Sequence, residues 1–414
     1  MSTRLPDDPG QVARTDRKVR LMSVIPALRL AARAERLGTE GAFSVLARAK
    51  ELERQGRDVI HLEIGEPDFD TPAHISESAW AAIRSGATHY CPSAGLPELR
   101  EVAAAHLAAS RGIEVEPERV LVATGAKPFL FFGVLATCEP GDEVVYPDPG
   151  FPIYESAIRF SGATPVPLRL HEEADFSFSL EELDRALTPR TRLVILNSPQ
   201  NPTGGVLAPS DVAAAAELIT ASDAWVLSDE VYSEIVYDGE FRSIAAEPGL
   251  PQRTILLDSL SKTFAMTGWR CGYAAVPEPL VEPLTRFIVN STSCVPPFVQ
   301  HAAISALTGP MDEPHAMVEE FRQRRNLLVD GLNALPGVSC RLPAGAFYAF
   351  PNISGLGVEA DDLASLLLED AGVAVVSGSA FGLHGTEHLR LSYANSRENL
   401  ARALKRIRRV LEKL

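Results

Sequence analysis

Short aliphatic runs recur through the middle of the chain, each preceded by a stretch with helical apolar spacing and each followed by small or polar residues. Val120-Leu121-Val122-Ala123 leads into Thr124-Gly125-Ala126-Lys127, and Glu143-Val144-Val145-Tyr146 into Pro147-Asp148-Pro149-Gly150-Phe151. Leu193-Val194-Ile195-Leu196 leads into a loop from Asn197 to Gly204, Ala224-Trp225-Val226-Leu227 into Ser228-Asp229-Glu230-Val231-Tyr232, and Thr254-Ile255-Leu256-Leu257 into a serine-rich loop around Lys262. Runs that are apolar throughout, rather than alternating, suit strands covered on both faces. Alternating with helices, they predict an α/β fold built on a mainly parallel sheet. Ligands of such sheets bind beyond the carboxyl ends of the strands, where all these unusual residues fall.

The flanks have another texture. From Ile25 to about Gln55 the apolar positions keep a helical period, and Val59 to Ile64 alternates like a strand before the turn Gly65-Glu66-Pro67-Asp68-Phe69. After Pro310 come a long charged helix from Glu313 to Leu335, short strands at Val338 to Cys340 and Ala346 to Phe350, and a helix from Asp361 to Ala371. Strands at Val373 to Val376 and Leu389 to Tyr393 and a basic terminal helix complete the chain. This pattern predicts a large domain over 61–309, covered by helices on both faces. A smaller α+β domain combines 23–60 with 310–414, and residues 1–22 form a flexible arm.

Bulk properties narrow the class. A chain of 414 residues is too long for one ordinary core. With 46% hydrophobic and 22% charged residues it is typical of globular proteins, and 39 basic against 54 acidic side chains leave a net charge of −15, unsuited to a nucleic-acid backbone. The five cysteines are scattered without CxxC spacing, which argues for free thiols in a reducing compartment and against a disulfide frame or metal site. No apolar run reaches membrane-spanning length, and the N-terminal arginines are interrupted by aspartates with no signal-peptide core, so a cytoplasmic location is expected.

The candidate chemistry centres on Lys262, flanked by Ser259, Ser261 and Thr263 and followed by Arg270 between Gly268 and Gly272. Such a loop can hold an amine beside a bound phosphate: the amine attacks an aldehyde, the hydroxyls and Arg270 grip a dianion, and the glycines allow close backbone approach. Ser-x-Ser-Lys followed by Gly-x-Arg-x-Gly resembles the lysine signature of the class I/II aminotransferases, the pyridoxal-phosphate enzymes of fold type I. Cys271 departs from the usual aliphatic residue there, a substitution of one small hydrophobe for another.

The resemblance extends in order from about Ile64 to Tyr393 and implies roles for further residues. Asp229 would face a pyridine nitrogen and Tyr232 the ring oxygen, although an aspartate N-cap followed by a core tyrosine has the same spacing. Asn201, in Asn-Pro-Thr-Gly, would bond the ring oxygen and the substrate carboxylate. Gly125 and Ala126 open a helix whose N-terminus suits a phosphate. Lys127 either reads a substrate's distal carboxylate or faces solvent. Phe151 would stack on the ring. Arg390 alternates with apolar neighbours on a strand, and its planar fork fits the substrate α-carboxylate, with backbone help from Gly65. Tyr90 resembles the tyrosine that reaches a neighbouring subunit's phosphate, implying a homodimer with shared sites.

The resemblance thus implies a pyridoxal 5'-phosphate-dependent aminotransferase. It would move an amino group from an L-amino acid to a 2-oxo acid by a ping-pong mechanism, with Lys262 as Schiff-base lysine and proton shuttle and no metal. A lyase, decarboxylase or oxidase on the same scaffold shares the cofactor grip. A catalytically idle cofactor-binding regulator is the alternative of another class, for which the chain has neither a DNA-binding module nor a basic surface.

Overall fold

The computed structural model describes residues 29–414, so the expected arm over 1–22 and the first residues of the expected N-terminal helix lie outside the described residues. Thirteen strands are present among these residues. They are β1 (Ile60–His61), β2 (Val120–Ala123), β3 (Glu143–Asp148), β4 (Thr164–His171), β5 (Ser177–Phe178), β6 (Thr191–Asn197), β7 (Trp225–Asp229), β8 (Thr254–Ser259), β9 (Gly272–Ala275), β10 (Tyr348–Ala349), β11 (Val373–Ala374), β12 (Val376–Ser377) and β13 (Leu389–Ser392).

Eight of them form the central sheet in the order β2-β9-β8-β7-β6-β3-β4-β5. The pairs β3–β4, β3–β6, β6–β7 and β7–β8 are parallel. Strand β9 runs antiparallel between β8 and β2, and β5 closes the far edge antiparallel to β4. The expected aliphatic runs are the buried heart of this sheet: Leu193, Val194 and Ile195 in β6, Val226 and Leu227 in β7, and Ile255 in β8 are fully inaccessible. Their two faces feed separate apolar clusters, one holding Leu193, Ile195 and Leu227 with Phe129 and Leu130, the other Val194, Leu196 and Val226 with Val212 and Ala215. Alternating side chains of one strand thus serve opposite helical layers.

Three strands of the central sheet escape the hydrophobic reading, the two-residue β5 being too short to show a pattern. In β4, Pro165 and Pro167 remove two backbone donors, a pattern that ordinarily argues against a strand. In β9 the residues are Gly272-Tyr273-Ala274-Ala275, too small to stand out as an aliphatic run.

The helix expected from Ile25 is interrupted. A short 3-10 turn covers Ala32–Arg36, the chain then runs extended, and the α-helix spans only Gly41–Arg54. The extended link is tied down by the Gly38 N–H, which donates to Ser156 Oγ at 2.9 Å. The helix buries Ala49 and Leu52 against Leu368 and Ala374, and β1 pairs with β11, so the N-terminal segment packs on the C-terminal elements. Other expected strands are trimmed. Val338 to Cys340 amounts to one bridge, Ser339 with Asn352, and Val373 to Val376 splits into β11 and β12, which join different sheets.

The terminal helix Arg397–Leu411 buries Leu400, Ala403, Ile407 and Val410, one face at helical spacing, on the helix Asp312–Asn333. Each fully buried large aliphatic side chain there contributes about 1.5–3 kcal/mol. A basic face on a terminal helix ordinarily only meets solvent. Arg397 instead pairs with Glu320, and Arg402 and Arg406 both pair with Asp58, which ties the helix to neighbouring elements.

Candidate active site

The carboxyl ends of β3, β6, β7 and β8 open into a cleft of about 510 Å³, closed on the other side by the Gly65 turn, β10 and β13. It gathers nearly every residue singled out in the sequence: Gly65, Ala126, Lys127, Phe151, Asn201, Asp229, Tyr232, Ser259, Ser261, Lys262, Arg270 and Arg390 all line it.

Lys262 follows β8 in a single helical turn, Leu260–Thr263, capped by the Ser259 hydroxyl accepting from the Ser261 N–H. Its Nζ donates to the Gly65 carbonyl at 2.6 Å and lies 5.8 Å from the Tyr232 ring and 5.7 Å from that of Phe347. Protein surrounds the amine and lowers its pKa to about 8; the Arg390, Arg270 and Lys127 charges push the same way and Glu66 opposes them. An amine so tuned carries a substantial neutral fraction a little above neutral pH, the form a nucleophile and base must take.

Asp229 ends β7 and is buried. Its Oδ2 accepts from the Tyr154 hydroxyl at 2.7 Å, while Oδ1 is buried without a partner. Burial raises the carboxyl to about 6, against the pull of the Tyr154 hydrogen bond. Asn197, one register step across in β6, donates to the Asp229 carbonyl at 2.9 Å and accepts from the Asn201 N–H at 3.0 Å, thereby joining two loops.

Ser259, Ser261, Arg270 and the start of the helix Lys127–Thr137 form one polar pocket. Ser259 Oγ donates to Ser261 Oγ at 2.8 Å, and the Arg270 guanidinium reaches the Thr267 carbonyl at 2.8 Å and the Thr124 carbonyl at 3.2 Å. Gly125 has φ +95°, and a Cβ there would stand 2.5 Å from Arg270 Nη2, so only glycine allows this approach. Gly125 therefore shapes the pocket from behind while Ala126 and Lys127 line it.

Arg390 on β13 is buried. One Nη donates to Asn201 Oδ1 at 3.1 Å and the other to the Glu63 carbonyl, while Nε has no partner. Its guanidinium is sandwiched between the rings of Tyr348 and Phe381, 4.7 and 4.9 Å away. Burial lowers its pKa, so a bound anion is the partner it lacks. Gly65 packs against Tyr348, over whose ring this guanidinium lies: a Cβ would sit 2.0 Å from the Tyr348 hydroxyl.

Tyr90 stands apart. It is 90% exposed and does not line the cleft of its own chain. Sequence reasoning missed Tyr154, Asn197, Tyr348, Glu66 and Glu40, all of which line the cleft. Tyr154 lies three positions after Phe151, Asn197 directly follows the apolar run of β6 and Glu66 follows Gly65, places that could have flagged them; Tyr348 and Glu40 carry no local signal.

The residues fit pyridoxal phosphate. The unpartnered Asp229 oxygen suits a protonated ring nitrogen, the Ser-Ser-Arg pocket suits a phosphate, and the lysine lies in the same cleft. No group of three or more His, Cys, Asp or Glu side chains suited to a metal occurs among the described residues.

Residues 57–407 match the family model of aminotransferase class I and II. The chain is 40% identical over 398 residues to an aspartate aminotransferase of Rhizobium meliloti strain 1021, covering 93% of this chain and 96% of that one. It is also 40% identical over 358 residues to aromatic-amino-acid aminotransferase 2 of Thermococcus litoralis, covering 86% and 92%. The solved Thermus thermophilus aspartate aminotransferase with maleate superimposes with a TM-score of 0.88 at 39% identity, covering 92% of this chain and all of that one. Cleft, fold and relatives agree: the chain belongs to the class I and II aminotransferases, a family that uses pyridoxal phosphate, and it is a transaminase acting on amino and 2-oxo acids.

Proposed function

We propose that the cleft binds pyridoxal 5'-phosphate and exchanges an amino group between an L-amino acid and a 2-oxo acid in two half-reactions at one site. The observation that carries this reading is Lys262 Nζ in one cleft with Asp229, whose buried Oδ1 lacks a partner. When bound, the cofactor supplies an aldehyde carbon for an amine and a ring that withdraws electrons.

The chain's residues do the rest. Ser259, Ser261, Arg270 and the helix start at Ala126 and Lys127 hold the phosphate, Asp229 keeps the ring nitrogen protonated, Phe151 covers the ring, and Asn201 and Tyr232 bond its oxygen. Arg390 with Asn201 grips the α-carboxylate, helped by the Gly65 backbone, which orients the bond to the Cα proton. Lys262 Nζ, in its neutral form, takes that proton and returns it. The oxo acid of the second half-reaction offers Arg390 the same carboxylate, which supports a ping-pong sequence through one binding mode. Aspartate- and aromatic-acting relatives support acidic or aromatic donors, with 2-oxoglutarate, oxaloacetate or pyruvate as acceptor.

The exposure of Tyr90 supports a homodimer in which that tyrosine completes the neighbouring site. Five free cysteines support a reducing, cytoplasmic setting; no helix among the described residues is long and apolar enough to cross a membrane. The units proposed to carry these parts are 61–309 and 23–60 with 310–414.

Borohydride reduction followed by peptide mass spectrometry tests the reading. The cofactor mass is expected on the peptide containing Lys262 and absent in Lys262→Ala. Labelling of another lysine, or of none in cofactor-loaded protein, would overturn it.

A further inference from the structure

A donor amino acid is selected by what its side chain meets in the cleft, and one cation there is already matched by a carboxylate. The described cations lining the cleft are Lys127, Lys262, Arg270 and Arg390. Three have other roles in the proposed reading, Lys262 as the reacting amine, Arg270 on the phosphate and Arg390 on the α-carboxylate, and each is held in place by neutral oxygens. Lys127 remains, 5.3 Å from the centre of the Phe151 ring, and its Nζ is paired with the Glu40 carboxylate. Glu40 is the last residue of the extended link that Gly38 anchors to Ser156, and its side chain is only 17% exposed. Beside this pair the cleft is lined by Ala42, Phe43 and Ile64, all apolar.

We propose that Glu40 is a specificity residue: by neutralising Lys127 it makes the cleft favour amino acids with apolar or aromatic side chains over dicarboxylic ones. A substrate with a second carboxylate meets like charge from Glu40 and gains Lys127 only by displacing it. An apolar side chain meets Ala42, Phe43 and Ile64 and disturbs no ion pair. Discrimination therefore comes from a repulsive element as well as an attractive surface. The inference rests on the reading that Arg390 holds the α-carboxylate in this cleft.

The pair is partly solvated, with Lys127 44% exposed, so its removal shifts affinity modestly, by roughly fivefold. Calorimetric titration of cofactor-loaded enzyme with maleate, a dicarboxylate without an amino group, and with 3-phenylpropanoate, an aromatic monocarboxylate, measures it without turnover. Wild type is expected to bind 3-phenylpropanoate more tightly. Glu40→Gln, and independently Glu40→Ser, should tighten maleate by roughly fivefold and leave 3-phenylpropanoate unchanged. Adding Lys127→Gln should abolish the gain. The proposal is overturned if wild type prefers maleate, if both ligands shift together, or if neither moves. Borohydride labelling of Lys262 in the same preparations separates the two readings. Labelled protein with unmoved maleate affinity defeats the role of Glu40 alone, whereas failure to label Lys262 defeats the functional reading beneath it.

Discussion

Replacing Arg111 with methionine should destabilise the fold directly behind the cofactor cleft. Arg111 ends the helix Pro97–Arg111 and is 5% exposed. Its Nε donates to Glu230 Oε2 at 2.8 Å and Nη2 to Asp258 Oδ2 at 2.6 Å, while Nη1 lies 3.6 Å from Glu234. Glu230 directly follows Asp229, and Asp258 directly precedes Ser259, so one guanidinium fastens the roots of both the ring-binding and phosphate-binding loops. Without it, two carboxylates stay inside the protein with neutral donors only: Ser228 and Ser243 on Glu230, Tyr273 and the Ser259 N–H on Asp258. Removing one partner of a buried ionic group costs about 3–5 kcal/mol.

The pH dependence has a definite sign. Burial already pushes the Glu230 carboxyl up while Arg111 holds it down, so the variant's folded-state pKa rises further above the unfolded value. A carboxyl raised in this way keeps its stability at low pH and loses it as pH climbs through the folded pKa. The deficit relative to wild type should therefore be largest in mildly alkaline buffer and shrink on acidification. Urea denaturation of cofactor-free protein at about pH 8 and about pH 5.5 reads this directly, provided the denaturant slope is unchanged. Adding Glu230→Gln should recover part of the loss, because it removes one of the stranded charges. A deficit below about 1 kcal/mol, or one equal at both pH values, would refute the account.

In cofactor-free protein, acetylation of Lys262 should rise with a midpoint near pH 8, and Arg270→Gln should move that midpoint upward, since a neighbouring cation disfavours the charged amine. Mass-spectrometric rates on the Lys262 peptide decide it; a midpoint near the ordinary lysine value in wild type would contradict the tuning. Gly125→Ala combines an unfavourable φ of +95° with a Cβ 2.5 Å from Arg270 Nη2, so the guanidinium must leave its place. Affinity for pyridoxal phosphate should fall roughly tenfold or more while that for phosphate-free pyridoxal changes little, as fluorescence titration would show; equal losses would mean that Gly125 serves the fold rather than the phosphate pocket.

Much of the site was legible because its residues sit where strands end, and strand ends are visible in the apolar pattern. Asp229 at the end of β7 and Lys262 just after β8 stand out by that local signal, while their roles come from the resemblance to a known family. What stayed hidden depends on contacts distant in sequence. Tyr348 reaches the Tyr232 hydroxyl across 116 positions, Arg111 reaches Glu230 across 119, and Lys127 meets Glu40 across 87. Periodicity reports on neighbours along one element and is blind to such pairs. Gly65 shows the same limit: the sequence marks it as the start of a turn, but the reason that only glycine fits, the Tyr348 hydroxyl, comes from β10. The misread N-terminal helix matters most for function. A helix continuous from Ile25 satisfies the hydrophobic period equally well, yet the Gly38 hydrogen bond to Ser156 draws the chain out straight and delivers Glu40 to Lys127. In the proposed role of Glu40, the choice of donor rests on a segment that the Gly38 N–H holds outside the helix through one hydrogen bond, against a weak helical preference.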